Sequence, residues 1–298
     1  MYAYLLLACA PLLVALVVAV LWRFTAMRSI RRFDRRTIVT TVLAGAIPVA
    51  VMTLTRLSFW LPSFLPPFDR HWSAWLPLVL GMLAVALLSI PPRAARTPAT
   101  ADLSRRTVLS VVPVTWVITL LVLAVVIVAI TLAAGAASEP DEFGHHTRYT
   151  IRIGSAAEMS SEIYGWYYSV PALLALGALL LLTAIVWMLI PRRPWDDDRA
   201  ADAAVRRLRA ANIGRTTAGA MLVHLSFVLQ SLYGTSQMSG MAASGDLGQV
   251  TVGTSFAALG PALLWASEIA LAAGLSLWMI VALTAVPAGV RRPAPAFA

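Results

Sequence analysis

Residues 108–136 read VLSVVPVTWVITLLVLAVVIVAITLAAGA, a stretch without a single charged side chain. An α-helix rises about 1.5 Å per residue, so about 20 apolar residues cross the hydrocarbon core of a bilayer, which is roughly 30 Å thick. The stretch is therefore long enough to cross a membrane and to tilt or to extend beyond the lipid. Runs of this length predict a transmembrane helix rather than a buried helix of a soluble domain.

The rest of the chain has the same character. Of its 298 residues, 59% are hydrophobic and 12% are charged, whereas a soluble domain carries about 25% charged residues. With short loops, seven spans use up the chain, so residues 1–298 are expected to form a single integral membrane domain. The predicted fold class is all-α, a polytopic transmembrane helical bundle. The seven predicted spans are 5–22, 37–55, 73–90, 108–136, 168–190, 217–234 and 259–285.

The arginines predict the orientation of the bundle. All 23 basic residues are arginines, and most of them lie in the loops 23–36, 91–107 and 191–215 and in the C-terminal tail. Only four fall in the loops on the other side. Because positive charge stays on the cytosolic side, the N-terminus is predicted outside and the C-terminus in the cytosol. Arginine with abundant alanine is typical of a GC-rich bacterial genome, so the expected location is the bacterial cytoplasmic (inner) membrane.

The composition of the chain and its lack of known motifs argue against several activities. The arginines lie at membrane edges, where topology explains them, so no nucleic-acid partner is expected and the lipid bilayer is the expected partner. Without lysine the chain cannot hold retinal as a Schiff base. Its single cysteine, Cys9, forms no intramolecular disulfide. No zincin motif, nucleophile elbow or phosphate-binding Gly-rich loop occurs, and we predict no catalytic residue, no metal and no cofactor.

The outer loop 138–166 contains a short alternating stretch. Tyr149, Ile151 and Ile153 fall on one face and the residues between them on the other, which is the pattern of a β-strand. A lone strand is not stable, so it must pair within this loop or with a partner chain. The loop is the best candidate for an extracytoplasmic contact surface.

On the cytosolic side, residues 197–211 are predicted to form an amphipathic helix, followed by Gly214. Acidic residues crowd its start and basic residues its end. These charges are opposite in sign to the two ends of the helix dipole, so they stabilise the helix. Ala201, Val205 and Leu208 share one face. That face is expected to lie on the membrane surface or against a partner.

The candidate intramembrane polar site consists of Glu268, Gln230 and His224. Glu268 is the only acidic residue in any predicted span, where a carboxylate is costly, and it lies at nearly the depth of Gln230. Thr217, His224 and Ser231 repeat at seven-residue spacing, which predicts a polar stripe that faces protein. One interpretation is that Glu268 is neutral and bonded to Gln230 or His224, joining two helices. The other is a proton or cation site shared by Glu268 and His224.

Three segments together resemble a known group of proteins. Gly165-Trp166-Tyr167-Tyr168 leads into a span that ends Pro191-Arg192-Arg193-Pro194, and a basic helix through Arg206-Arg207-Leu208-Arg209 follows. In this the chain resembles uncharacterised multi-pass membrane proteins of actinobacteria, some of which are associated with ABC-exporter gene clusters. The resemblance implies no catalytic residues.

These features favour a permease-like or accessory component of a membrane transport system. The chain has no nucleotide-binding motif, so an ATP-driven role needs a separate ATPase or other membrane subunits. A seven-span membrane sensor is the alternative, with the loop 138–166 as its input and the cytosolic helix as its output. An intramembrane enzyme of unrecognised type is the third possibility.

Overall fold

The computed structural model describes residues 2–26, 34–60, 70–91, 111–153, 157–192, 199–244 and 248–286. Within these ranges the chain forms seven α-helices and two small antiparallel sheets. The helices are α1 Tyr2–Ala26, α2 Arg35–Trp60, α3 Arg70–Ser89, α4 Val114–Ala136, α5 Trp166–Leu189, α6 Arg199–Ser236 and α7 Gly260–Thr284. The expected helical bundle is therefore confirmed, and the sheets are an addition to it.

Five helices, α2, α3, α4, α5 and α7, are long and apolar enough to cross a membrane. The described part of α1 adds a shorter apolar helix, Cys9–Thr25. Their outward faces are apolar: the exposed large side chains of α4 include Val117, Ile118, Leu121, Val122 and Val125. Soluble monomers rarely expose apolar patches of this extent. Lipid is the natural cover of such faces.

The start of α4 lies later than the sequence predicted. The predicted span began at residue 108, but the helix begins at Val114. Pro113 precedes it in an extended conformation, with φ −61° and ψ 128°. Proline is favoured at the start of a helix, because the backbone N–H groups there have no helical acceptor. Further inside the helix, its missing N–H would leave a carbonyl without a donor. Residues 108–110 lie outside the described part of the chain.

The least apolar helix, α6, lies at the centre of the bundle. It packs against α3, α4, α5 and α7, and most of its side chains from Ala210 to Leu229 are buried. Its polar groups therefore face protein and not lipid. Thr217 and Thr183 bring their hydroxyls to 2.7 Å, and the His224 side chain is 1% exposed. Two members of the predicted polar stripe, Thr217 and His224, therefore face protein, and the third, Ser231, lines a cavity.

One continuous helix replaces the predicted cytosolic helix and sixth span. The sequence placed a break at Gly214, but α6 runs through it from Arg199 to Ser236. A Cβ atom at Gly214 would lie 2.8 Å from the ring of Trp116. The glycine therefore lets α4 approach α6 closely, and it does not end a helix.

An ion pair forms the buried face of the first turns of α6. Val205 and Leu208 are only half-buried, whereas the Asp202 and Arg206 side chains are buried. Residues 197 and 198 and the side chain of Ala201 lie outside the description. The contact of the apolar face with the membrane surface or a partner stays a prediction, and within the chain the Asp202–Arg206 ion pair packs inward.

Several arginines contact helix carboxyl ends at one end of the bundle, which we call the arginine end. Arg209 Nη2 donates to the carbonyls of Leu88 and Ile90 at 2.8 and 3.2 Å. Arg23 Nη2 donates to the carbonyl of Val286 at 2.7 Å. Both contacts satisfy carbonyls that lack helical partners, at the negative end of a helix dipole. The arginines thus fix neighbouring helices in addition to carrying charge.

The two sheets lie at the opposite end, the sheet end. The first has the order β1 Glu139–Pro140, β2 His146–Ile153 and β3 Ala157–Glu162, and the second pairs β4 Ser239–Ser244 with β5 Gly248–Gly253. The strand predicted in the outer loop is therefore confirmed as β2, and it pairs within its own loop. In the register, Tyr149 lies opposite Ser161 and Ile151 opposite Met159. The second hairpin was not predicted, because small residues dominate β4 and they have low strand propensity.

Candidate functional site

His224 lies in the core, with its side chain 1% exposed. Its Nδ1 is 2.7 Å from the carbonyl oxygen of Ala74. Because a carbonyl accepts, Nδ1 carries the proton in this contact, and the histidine joins α6 to α3. Its ring also meets Tyr164 edge-on, with centroids 6.2 Å apart. The structure thus gives His224 a structural position rather than a place beside the carboxylate.

Glu268 pairs with a residue that the sequence interpretation placed outside the spans. Arg56 Nη2 lies 3.0 Å from both carboxylate oxygens of Glu268. The hydrogen bonds of Glu268 within the described chain go to Arg56 and not to Gln230 or His224, so the predicted partners were wrong. The predicted second span ended at residue 55 because Arg56 interrupts the apolar run, but α2 continues to Trp60. Arg56 therefore stays on the helix, where its side chain contacts α7.

This ion pair changes the energetics expected for Glu268. An isolated carboxylate within a span costs several kcal/mol, so a paired position is strongly favoured. Each side chain of the pair is 27% exposed, which moderates both the desolvation cost and the attraction. The signal available in the sequence was Arg56 itself, one of only four arginines predicted outside the cytosolic loops. An intramembrane acid and a nearby lone base are natural partners.

Gln230 contacts the residue next to Glu268. Its Oε1 accepts a hydrogen bond from the Ser267 hydroxyl at 3.0 Å. Gln230 and Glu268 therefore share one region without contacting each other. The structure brings together two of the three predicted site residues and excludes His224.

That region is a cavity of about 560 Å³ at the sheet end, between α1, α2, α6 and α7. Its polar lining includes Arg56, Glu268, Gln230, Ser267 and Tyr164. Its apolar lining includes Leu12, Met52, Phe227, Leu271 and Leu275. Cys9, the single cysteine, also lines it. The cavity is amphiphilic: one part of its wall is polar and the larger part is hydrocarbon.

The first sheet contributes to the wall of this cavity. Glu162, the last residue of β3, lines it, and its carbonyl accepts from Thr235 Oγ1 of α6 at 2.8 Å. Its carboxylate accepts from the Tyr168 hydroxyl of α5. The linker residue Tyr164 follows, and burial raises the pKa of its phenol. Sequence reasoning missed these residues, because no local pattern joins a loop strand to helices far away in the chain.

No metal-binding constellation accompanies the cavity. In the described ranges, no group of three or more His, Cys, Asp or Glu side chains is placed to hold a metal ion. The arrangement provides an ion pair, hydrogen-bond donors and an apolar wall. It is suited to binding a ligand.

In comparisons with known proteins, no family model, no curated sequence and no solved structure matches the chain.

Proposed function

We propose that this chain is a permease-like or accessory component of a membrane transport system, and that the cavity at the sheet end holds the ligand. The observation that carries the proposal is the Arg56–Glu268 pair at the wall of a cavity of about 560 Å³. Ligand sites typically enclose about 300–1,000 Å³, with mostly apolar walls and a few polar groups. Ionisable residues within spans commonly mark substrate pathways.

Seven spans with the sheet end outside are part of this proposal. The arginine end carries Arg23, Arg206, Arg209 and Arg215, and the positive-inside rule favours the cytosol for it. This arrangement corresponds to a multi-pass protein of the bacterial cytoplasmic membrane with its N-terminus outside. The cavity then lies towards the outer face.

The orientation predicts opposite labelling of two cysteines. In a Cys9→Ser background, Ser160→Cys on β3 should react with a membrane-impermeant thiol reagent on intact cells. Ala203→Cys on α6 should react only after the cells are opened. Both positions are exposed, so access across the membrane and not burial decides the result. Labelling of both variants on intact cells would exclude the orientation.

A separate ATPase is the proposed source of energy, because the chain contains no nucleotide-binding motif. The cytosolic turns of α6 provide a surface for such a partner, since Ala203, Ala204 and Arg207 are exposed there. Transport requires that binding of the partner alters the cavity at the other end of the bundle. Helix α6 extends from the arginine end to the cavity and is suited to transmit such a change.

The single cysteine makes this proposal testable. On intact cells that contain the natural partners, a water-soluble methanethiosulfonate should modify Cys9, and ATP depletion should change the rate several-fold. Glu268→Gln should abolish this difference without lowering the amount of protein. Ser160→Cys in the Cys9→Ser background is the matched control, and its rate should not depend on ATP. A Cys9 that does not react, or that reacts equally in both states, would contradict the proposal.

A membrane sensor is the second candidate function. Glu162 belongs both to the outer sheet and to the cavity wall, so a ligand in the cavity contacts an outer element directly. In a sensor, the Cys9 rate should respond to ligand and not to ATP. The same experiment therefore separates the two functions.

A further inference from the structure

Arg215 of α6 lies at the arginine end of the bundle, between the ends of two other helices. Its Cζ atom lies over the Trp22 ring of α1, 4.8 Å from the ring centroid, and over the Trp116 ring of α4 at 5.9 Å. Gly214 makes room for Trp116, since a Cβ atom there would lie 2.8 Å from that ring. A guanidinium stacks on aromatic faces and keeps its N–H donors in its own plane. The two rings therefore hold the cation without occupying its donors.

The positive charge of Arg215 has no carboxylate partner among the described residues. Its Nη1 donates to Oδ1 of Asn212, a neutral amide, at 2.7 Å. Its Nε and Nη2 make no hydrogen bond to the described chain, and neither atom is fully buried. By contrast, Arg206 and Arg56 each contact a carboxylate. Two donor atoms of Arg215 thus remain for an anionic acceptor from outside the chain.

A strip of α6 around Arg215 is left partly uncovered by the other helices. Between residues 210 and 229, the residues of α6 that are not buried are Ala211, Arg215, Leu222 and Phe227. Phe227 lines the cavity at the sheet end. The other three fall within about 40° of one another at 3.6 residues per turn, so they share one face of the helix. We call this face, together with Trp22 and Trp116 beside it, the Arg215 groove.

Helix contacts explain why the groove stays open. Helix α1 packs on α7 and α2, whereas α4 packs on α6 and α5. Extensive contact between α1 and α4 is not among the helix contacts of the described residues. The ends of α1 and α4 therefore form two walls at Arg215, and α6 forms the floor between them.

The groove begins at the depth of lipid head groups. Arg215 lies 21 positions before Ser236, where α6 ends at the sheet end, and these residues correspond to about 32 Å of helix. The hydrocarbon core of a bilayer is roughly 30 Å thick, so the guanidinium reaches the polar region of the leaflet at the arginine end. Trp22 and Trp116 agree with this depth, because tryptophan is enriched at the boundary between lipid and water. Leu222, two turns further into the bilayer, offers an apolar surface to an acyl chain.

The charge of the arginine end favours an anion. Its described ionisable side chains are seven arginines and two aspartates, namely Arg23, Arg35, Arg36, Arg206, Arg207, Arg209 and Arg215 against Asp34 and Asp202. Basic pockets between spans bind the head groups of anionic lipids. The planar donors of arginine match the oxygens of a phosphate. A zwitterionic lipid has the same phosphate, but its ammonium group is repelled by the surrounding arginines.

We infer that the Arg215 groove binds an anionic phospholipid of the leaflet at the arginine end. The phosphate accepts hydrogen bonds from Nε and Nη2 of Arg215, and one acyl chain lies on the face of α6 at Leu222. The lipid thereby supplies the negative charge that the described chain does not place beside Arg215. The inference rests on the placement of the bundle in a bilayer, and on neither transport nor the cavity at the sheet end.

Native mass spectrometry of the full-length protein, released from detergent micelles, counts the lipids that it retains. Phosphatidylglycerol and phosphatidylcholine with the same acyl chains are added separately over a range of concentrations. We expect the first phosphatidylglycerol to bind at a concentration several-fold lower than the first phosphatidylcholine. Equal retention of the two lipids would overturn the inference.

Arg215→Gln tests the position of the site. It should raise the dissociation constant of phosphatidylglycerol roughly tenfold, the value of hydrogen bonds to a charged group. Arg207→Gln is the matched control, because it removes the same charge from an exposed residue of the same helix. Its effect should stay within about twofold, since solvent and salt screen an exposed charge. Equal effects of the two substitutions would mean that the general charge of the arginine end, and not the groove, attracts the lipid, which contradicts the inference.

Arg215→Lys keeps the charge and provides the test if Arg215→Gln does not fold. A lysine lacks the planar donors and the stacking of a guanidinium. It should therefore still raise the dissociation constant of phosphatidylglycerol several-fold, at an unchanged melting temperature without added lipid. An unchanged dissociation constant would overturn the proposed phosphate contact.

A soluble phosphate ester is the other source of the same chemistry. Glycerophosphoglycerol, which is the head group of phosphatidylglycerol without its acyl chains, is added in large excess to the lipid-bound protein. It should not displace the lipid, because it lacks the chain that lies on α6. Displacement would identify a soluble ligand and overturn the assignment to a lipid. None of these results involves ATP or Cys9, so the transport proposal and this inference can fail separately.

Discussion

Arg206→Ala should destabilise the folded chain by about 3–5 kcal/mol, the usual cost of removing one partner from a buried ion pair. Arg206 Nη2 lies 2.7 Å from Asp202 Oδ2, and the two side chains are 4% and 12% exposed. Its Nη1 also donates to the carbonyl of Pro191 at 3.1 Å. The substitution removes the Arg206 guanidinium from the buried Asp202 carboxylate and from the carbonyl of Pro191 near the end of α5.

The measurement is equilibrium unfolding of the purified chain in detergent micelles. Arg207→Ala is the matched control, because Arg207 is the next residue of α6 and is exposed. Its effect should stay within about 0.5 kcal/mol. Asp202→Leu combined with Arg206→Met should recover much of the loss, since the double substitution removes both charges of the pair together. Equal effects of Arg206→Ala and Arg207→Ala would exclude a structural role for the pair.

Gly45→Ala should also destabilise the bundle, although it adds a single methyl group. A Cβ atom at this position would lie 2.3 Å from the Trp278 carbonyl oxygen and 2.7 Å from the Ala282 nitrogen. Both are backbone atoms of α7, so no side chain can move aside and α2 must shift as a whole. Overpacking of this kind costs about 1–3 kcal/mol or more. Close backbone approach through small residues is how helices associate in membranes.

Gly177→Ala provides the comparison for this prediction. Gly177 lies inside α5, and a Cβ atom there would meet nothing within 4 Å. Alanine is favoured over glycine within a helix by about 0.5–1 kcal/mol, so Gly177→Ala should be neutral or slightly stabilising. In the same unfolding assay, Gly45→Ala should lower the free energy of unfolding, and Gly177→Ala should leave it unchanged or raise it slightly. A loss of equal size at both positions would mean that α2 and α7 are not in close contact at Gly45.

Both predictions concern helices that the sequence located but could not arrange. The sequence-based ranges for the second and seventh spans lie close to the bounds of α2 and α7. Nothing in either range indicated that Gly45 contacts the backbone of α7. Local patterns report how a segment meets solvent or lipid, whereas helix contacts depend on side chains from distant parts of the chain.

Helix α6 shows a limit of hydropathy as evidence. Its polar residues suggested a short span preceded by a separate helix, with Gly214 between them. In the structure one helix passes through this position, because other helices and not lipid surround it. Thr216, Thr217 and His224 are almost fully buried, so their polarity is compatible with the centre of the bundle. Polarity within a helix indicates a protein environment or water, and the sequence alone does not distinguish between them.

The sequence by itself determined the helical membrane architecture, the strand in the outer loop and the presence of an acidic residue inside a span. Each of these can be read from consecutive residues. The length of an apolar run indicates a span, alternation of apolar and polar residues indicates a strand, and an acidic residue within an apolar run is visible directly. Only the tertiary structure decided that Glu268 pairs with Arg56, 212 positions away, that His224 is a core residue, and that a cavity lies beside the pair. Such features depend on which helices pack together, and packing is set by the shapes and contacts of residues far apart in the chain.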